Sequence, residues 1–299
     1  MSLSRQRSVV AAVATSLATA LGFSGCNLVF RSTPAEADAA TVNVDATTDG
    51  MPGTQRIDLK FGNATSTEIE GEDSSVSNDA LHLWFMTVTT PTDRDMQHAQ
   101  RATANALFGT VKQLDNVDTG ANEVDGAIME DQLFILYASN AGPGTNGATQ
   151  ILQGQRQNPA LEFTSIEDTN VGFSTFSGFD ASPDGLQIFY VDSGGLKSKR
   201  RTTRDNLSFS EGPATKLSDG NISYPTVSFD RLELVYVSAD GTSLMRALLS
   251  ADGSTYGEPQ VLDVGATCGT ISGPDFSPNA MLLTFTCDKT IYVARRPAP

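Results

Sequence analysis

Large apolar residues recur in five short runs along the chain, each entered through a polar turn. Leu81-His82-Leu83-Trp84-Phe85-Met86 follows Ser77-Asn78-Asp79-Ala80, and Leu133-Phe134-Ile135-Leu136-Tyr137 follows Glu130-Asp131-Gln132. Ile188-Phe189-Tyr190-Val191 follows Ser182-Pro183-Asp184-Gly185. Leu232-Glu233-Leu234-Val235-Tyr236-Val237 follows Ser228-Phe229-Asp230-Arg231, and Leu282-Leu283-Thr284-Phe285-Thr286 follows Ser277-Pro278-Asn279-Ala280. Runs of this length, rich in β-branched and aromatic residues and bounded by turn formers, predict strands. Aligning the turn carboxylate or amide gives Asp79, Asp131, Asp184, Asp230 and Asn279, with successive separations of 52, 53, 46 and 49 residues. That period is the length of a four-stranded propeller blade.

The turns have a chemical logic. Proline presets one φ angle, Asp or Asn bonds locally to the backbone, and glycine permits the positive φ from which the next strand starts. Only Ser182-Pro183-Asp184-Gly185 carries the whole set. A second landmark has the same period. Basic residues at Arg56, Arg101, Arg156, Arg201, Arg246 and Arg296 are followed, in the first five cases, by Phe61, Phe108, Phe163, Phe209 and Tyr256. Each unit therefore reads as turn, strong strand, weaker strand ending on a basic residue, and aromatic-marked strand.

The stretches Phe179-Asp180-Ala181-Ser182-Pro183-Asp184-Gly185 and Pro274-Asp275-Phe276-Ser277-Pro278-Asn279, with the strands after them, resemble the PD40 or WD40-like repeat of TolB-type β-propellers. The resemblance runs from about Thr54 to Arg296 and implies an all-β ring engaged in protein–protein interaction. Five repeats predict five blades. Six is the alternative, since TolB-type rings commonly have six and a degenerate blade could precede Ser75. The last unit stops after Thr290-Ile291-Tyr292-Val293-Ala294-Arg295-Arg296. Arg56-Ile57-Asp58-Leu59-Lys60-Phe61 is expected to supply its missing strand, so that the N-terminal strand closes the C-terminal blade and covers open sheet edges.

The first residues break the pattern. Arg5 and Arg7 precede an uncharged, mainly apolar run from Val9 to Phe23, which suits a signal-peptide core. Ser24-Gly25-Cys26 resembles the bacterial lipobox, which implies lipidation at Cys26; the alternative is an ordinary secretory signal cut nearby. Arg31 to Thr54 is rich in Ala, Thr, Asp and Pro and too poor in apolar residues to fold alone. The expected organisation is signal peptide 1–25, lipid-attached flexible tether 26–54 and propeller 55–299, in the bacterial cell envelope. Asn27 in place of an aspartate favours the outer membrane over the inner.

Charge narrows the partners. The chain carries −15, and removing Arg5 and Arg7 leaves 18 of 20 basic residues against 35 acidic ones, or −17. Such a surface repels phosphate backbones and argues against nucleic acid. Cys268 and Cys287 flank the last turn and could pair in an oxidising compartment, or remain separate buried thiols.

Catalytic signals are sparse. His82 and His98 are the only histidines, and His82 reads as a strand residue beside Trp84. No zinc ligand set, Gly-x-Ser-x-Gly elbow or phosphate-binding loop is visible, and Ser174 and Ser177 read as strand and turn residues. The acidic run Asp115 to Gly126 has oxygen ligands for calcium, but not in EF-hand spacing, and reads first as a solvated loop. Lys197-Ser198-Lys199-Arg200-Arg201 is the one basic cluster, read as edging a blade, with docking of an acidic partner as the lesser reading. The expectation is a protein without enzymatic activity or cofactor, whose propeller binds envelope proteins or polymers. The alternative is a sugar-binding or glycosidase-like propeller with carboxylates in its central channel.

Overall fold

A computed structural model describes residues 60–90, 93–140, 149–173, 177–192, 195–209, 211–218 and 222–297. The expected signal peptide, Cys26 and the expected tether lie outside them. Among the described residues there is no helix. β1 (Thr65–Glu70) is followed by four meanders: β2 (Glu72–Val76), β3 (His82–Thr90), β4 (Asp93–Gln100) and β5 (Val111–Gln113); β6 (Glu123–Ile128), β7 (Phe134–Ser139), β8 (Thr149–Gln155) and β9 (Ser165–Phe173); β10 (Phe179–Ala181), β11 (Gln187–Asp192), β12 (Gly195–Arg200) and β13 (Glu211–Ser218); β14 (Ser223–Val227), β15 (Glu233–Val237), β16 (Leu244–Leu248) and β17 (Gln260–Val261). β18 (Ile271–Phe276), β19 (Leu282–Cys287) and β20 (Thr290–Arg295) make a fifth sheet that β1 completes, in the order β1-β20-β19-β18.

The protein is a five-bladed β-propeller, every blade an antiparallel four-stranded sheet. Its apolar core is correspondingly split into five clusters, each between neighbouring blades. Trp84 and Met86 of the first blade pack with Ile135 and Tyr137 of the second, and Leu83 and Phe85 pack with Leu282 and Ile291 of the fifth. The described residues form five blades and not six: from Lys60 to Ser75 they supply β1 and the start of β2, with no hidden unit between them.

The closing strand is displaced from its expected place. Thr65–Glu70 pairs with β20, in the register Thr65↔Val293 and Ser66↔Tyr292; of the expected strand Arg56 to Phe61 only Lys60 and Phe61 are described, and they precede it. The cause is the role of the aromatic landmark, which lies before the outer strand rather than in it. In four blades the basic landmark is a buried or half-buried arginine stacked on that ring: Arg101 over Phe108, Arg156 over Phe163, Arg201 over Phe209 and Arg296 over Phe61, at 4.3, 4.6, 4.5 and 4.2 Å. Nε of Arg101, Arg156 and Arg201 donates to the carbonyls of Ala80, Gln132 and Gly185 at 2.6, 2.6 and 2.8 Å, and Nη1 of Arg296 to Ala280 at 2.8 Å. These carbonyls belong to the positive-φ residue of each turn. The guanidinium thus fastens the strand-entry turn to the far side of the same blade.

The fourth blade departs from this. Leu249, not Arg246, occupies the landmark position, its N–H bonding to Leu232 O as that of Arg156 bonds to Leu133 O. The turn carbonyl of Arg231 is served by the hydroxyl of Tyr256, at 2.9 Å. Arg246 instead pairs with the fully buried Glu233, which also receives Nη2 of Arg296 at 2.6 Å across the blade boundary.

In the turns, Oδ1 of Asp79, Asp131, Asp184, Asp230 and Asn279 accepts the N–H two residues on, at 2.9 to 3.1 Å. In four of them a serine at the head (Ser77, Ser182, Ser228, Ser277) donates to that same oxygen. Cys268 and Cys287 form a disulfide within the last blade, with Cα atoms 5.3 Å apart.

Candidate functional site

The innermost strands β2, β6, β10, β14 and β18 line the ring axis, and each departs from regular geometry at one place. Four positions before the turn head stand Asp73, Asp125, Gly178, Tyr224 and Gly273, with φ of 43, 51, 111, 50 and 49°. Register shifts mark bulges there in the first, second, fourth and fifth blades. Left-handed backbone costs a residue with a side chain about 1–3 kcal/mol and concentrates at sites where a group must be aimed. Glycine is needed in the fifth blade, because a Cβ on Gly273 would fall 2.4 Å from Asp73 Oδ1. Here the three strained side chains, Asp73, Asp125 and Tyr224, line a small axial recess with a cavity volume of about 20 Å³, also lined by Asp180 and Asp275.

Around this recess the carboxyl groups join neighbouring blades. Asp125 Oδ2 accepts Phe179 N at 3.3 Å. Asp180 Oδ2 accepts Val227 N at 2.8 Å and Thr226 Oγ1 at 3.1 Å, while Oδ1 accepts Ala181 N. Thr226 Oγ1 accepts Phe276 N at 3.0 Å and also faces Asp275 Oδ1 at 3.4 Å. Thr284 Oγ1 of the fifth blade donates to Ser74 O of the first at 2.7 Å. Asp73 and Asp125 both line the recess, and the charge of each bears on the other.

Burial favours the neutral form of these carboxyl groups. Burial, reinforced by the Glu72 charge, pushes Asp73 up to about 7. Burial pushes Asp180 up to about 6, against the pull of its amide donors. Asp125 and Asp275 are raised by burial first and then by the neighbouring aspartates Asp73 and Asp180. The charge of Asp73 is the largest cause raising the Tyr224 phenol. No cationic side chain lines the recess. The nearby Arg94 is engaged by Glu72 at 3.5 Å and by Asn122 at 3.1 Å.

The candidates read from sequence are distributed elsewhere. The run Asp115 to Gly126 is pulled apart: Asp125 enters the recess, the Glu123 side chain accepts from Thr119 and Ser139, and Asp118 joins Asp93 and Asp95. These three offer ligand atoms all within 4.8 Å of one another, on half-buried side chains away from the axis. His82 and His98 form a stacked pair against Trp84, with Nδ1 and Nε2 3.0 Å apart. Burial drives the His98 imidazole down to about 4, helped by the positive groups His82, Arg156 and Lys112. The basic cluster does not edge a blade: β12 is a third strand flanked by β11 and β13, Ser198 and Arg201 are buried, and Arg201 is the stacked anchor. Ser177 gives its carbonyl to Tyr224 N, and Ser174 lies outside the described residues.

Asp125 fell in the acidic run and Asp180 and Asp275 in the repeat stretches read from sequence, but none was assigned to the channel, and Asp73 was not singled out. The available signal was positional: Asp180, Thr226 and Asp275 each stand two residues before a turn serine. The bulge four residues before it carries no glycine in three blades, so composition gives no sign of it.

The class defined by fold and site is a five-bladed propeller with an acidic axial recess. Among solved structures it is similar to TolB from Acinetobacter baumannii, at 14% identity and a TM-score of 0.44 over 78% of this chain and 54% of that one. It is also similar to a putative TolB from Agrobacterium tumefaciens (16%, 0.46, 80% and 78%) and to a gluconolactonase from Xanthomonas campestris (13%, 0.42, 75% and 71%). The chain thus spans about half the length of the A. baumannii protein. No protein-family profile and no curated protein matches it.

Proposed function

We propose that the chain is an exported binding protein of the cell envelope, tethered through lipid on Cys26, whose propeller presents the axial recess and the loops around it to envelope proteins or polymers. The observation that carries this reading is the use of the channel carboxylates. Asp125 and Asp180 accept backbone amides of the next blade, and so hold the ring together around a polar opening. Glycoside hydrolysis needs two carboxyl groups about 5–5.5 or 6.5–9.5 Å apart with separate roles. Asp125 accepts the amide of Phe179 in the next blade, and Asp180 is saturated by three donors. This supports binding over catalysis.

The test has two arms. Cys26→Ser should release the protein from the membrane fraction; unchanged retention would count against the lipid tether. Wild-type protein, but not the Asp73→Asn/Asp125→Asn variant, should retain a defined partner from envelope extracts. A second reading, a carbohydrate-active propeller, is favoured by the convergence of four aspartates on one recess. Hydrolysis of chromogenic glycosides that disappears in Asp125→Asn would establish it in place of the first.

A further inference from the structure

Strand register brings the two histidines together. Trp84 of β3 stands opposite His98 of β4, and His82 stands opposite Gln100, so His82 and His98 are diagonal neighbours on one face of the first blade. Trp84 and Met86 on that face pack against the second blade, and the histidines occupy its half-buried end. The ring of Trp84 lies 5.7 Å from that of His82 and 5.2 Å from that of His98. Nδ1 of His82 and Nε2 of His98 face one another at 3.0 Å, with ring planes 9° apart. Among the described residues neither imidazole has another hydrogen-bond partner. Two neutral imidazoles at this distance share one proton, one nitrogen donating and the other accepting. Burial pushes the basicity of both down, so each stays uncharged in neutral solution, with a lone pair to give.

We propose that His82 Nδ1 and His98 Nε2 form a bidentate site for a divalent d-block cation, copper(II) above the others, whose remaining positions are open to water or an incoming ligand. A metal–imidazole bond is about 2.0–2.1 Å long, so an ion shared by nitrogens 3.0 Å apart closes an angle of about 94°. A tetrahedral ion needs about 109°, with its nitrogens about 3.3 Å apart. The narrower bite suits tetragonal copper(II) or nickel(II), and copper binds nitrogen sites more tightly than nickel or zinc. The ion lies about 1.4 Å off the line joining the nitrogens, which the broad χ2 well of histidine admits by small ring rotations. It takes the place of the shared proton. The surrounding charge is mixed: Asp79 favours a cation beside His82, while Arg156 and Lys112 oppose one. No residue lining the axial recess takes part, so the site is separate from the binding proposed there.

The experiment uses the full chain in a Cys26→Ser background, where no free thiol competes for copper; the other two cysteines are joined in the disulfide. Trp84 is the only tryptophan and lies against both imidazoles, so a paramagnetic ion held by them quenches its emission. Copper(II) should quench saturably at one ion per chain, and electron paramagnetic resonance should show two nitrogen ligands. His82→Gln and His98→Gln should each remove the quenching at equimolar copper, with circular dichroism unaltered to show that the variants fold. Asp95→Asn/Asp118→Asn should keep it. Equimolar zinc, whose filled d shell does not quench, should leave the copper in place. Absent or unsaturable quenching, quenching kept by either histidine variant, or resonance from oxygen ligands alone overturns the proposal. So does quenching lost with Asp95 and Asp118, which would move the ion to the acidic cluster, and displacement by equimolar zinc, which would remove the case for copper.

Discussion

Arg156 offers a direct measure of what fastens each blade, because the fourth blade already carries the alternative. Replacing Arg156 with Leu removes bonds to Gln132 O at 2.6 Å and Leu161 O at 3.2 Å, and the stacking on Phe163. Hydrogen bonds from a charged donor contribute about 1.5–3 kcal/mol each, and a desolvated cation–π contact about 0.5–2. Burying the guanidinium offsets part of this, so the net loss should be about 3–5 kcal/mol, or about 10 °C in Tm for a domain of this size. Leu249 and Tyr256 are separated by seven residues, as are Arg156 and Phe163, and the Tyr256 hydroxyl reaches the equivalent carbonyl. Phe163→Tyr should therefore restore about 1–2 kcal/mol in the Arg156→Leu background, and nothing in the parent, where the carbonyl is already served. Equilibrium urea unfolding would be followed by circular dichroism and by the single tryptophan, Trp84, which packs in the same cluster as Phe163. A loss below 1 kcal/mol, or a tyrosine effect equal in both backgrounds, would refute the account.

Three further outcomes follow from the same contacts. Glu233→Gln should cost about 3–5 kcal/mol by leaving Arg246 and Arg296 facing a neutral group at the fourth and fifth blades, read in the same urea titration. Reducing Cys268–Cys287, which closes a loop with a sequence separation of 19, should cost about 3 kcal/mol, seen as a fall in Tm with dithiothreitol that Cys268→Ser/Cys287→Ser no longer shows. His98 has a folded pKa depressed to about 4 from an ordinary 6.5, so the unfolded chain binds its proton first. The stability it contributes is present above pH 6.5 and lost as pH falls toward 4; His98→Gln should flatten that part of the pH profile, and the imidazole resonance should titrate near 4.

The ring was legible because its hairpins repeat with local chemistry: turn acid, apolar strand and arginine lie within about 25 residues of one another. The arginine landmark failed in the fourth blade for a physical reason. The hydrogen bond it makes there is supplied by Tyr256, so the function of the position survived a change of residue, and the nearest basic side chain, Arg246, was a decoy three residues away. The closing strand was misplaced because Phe61 serves as a stacking surface for Arg296, and pairing starts only at Thr65. The axial site was hidden for a different reason. Asp73, Asp125, Asp180 and Asp275 come from four different blades, and only closure of the ring makes them neighbours.

That the first and last strands share a sheet has a kinetic consequence. Thr67 Oγ1 bonds to Ile291 O across 224 residues of chain, and Thr286 Oγ1 to Gly71 O across 215. Such contacts form only after nearly the whole polypeptide is present, and their loop entropy must be overcome before they contribute. Maturation should then be slow and governed by the last meander to emerge, leaving β1 an unpaired template in the interval, open to capture by a neighbouring nascent copy.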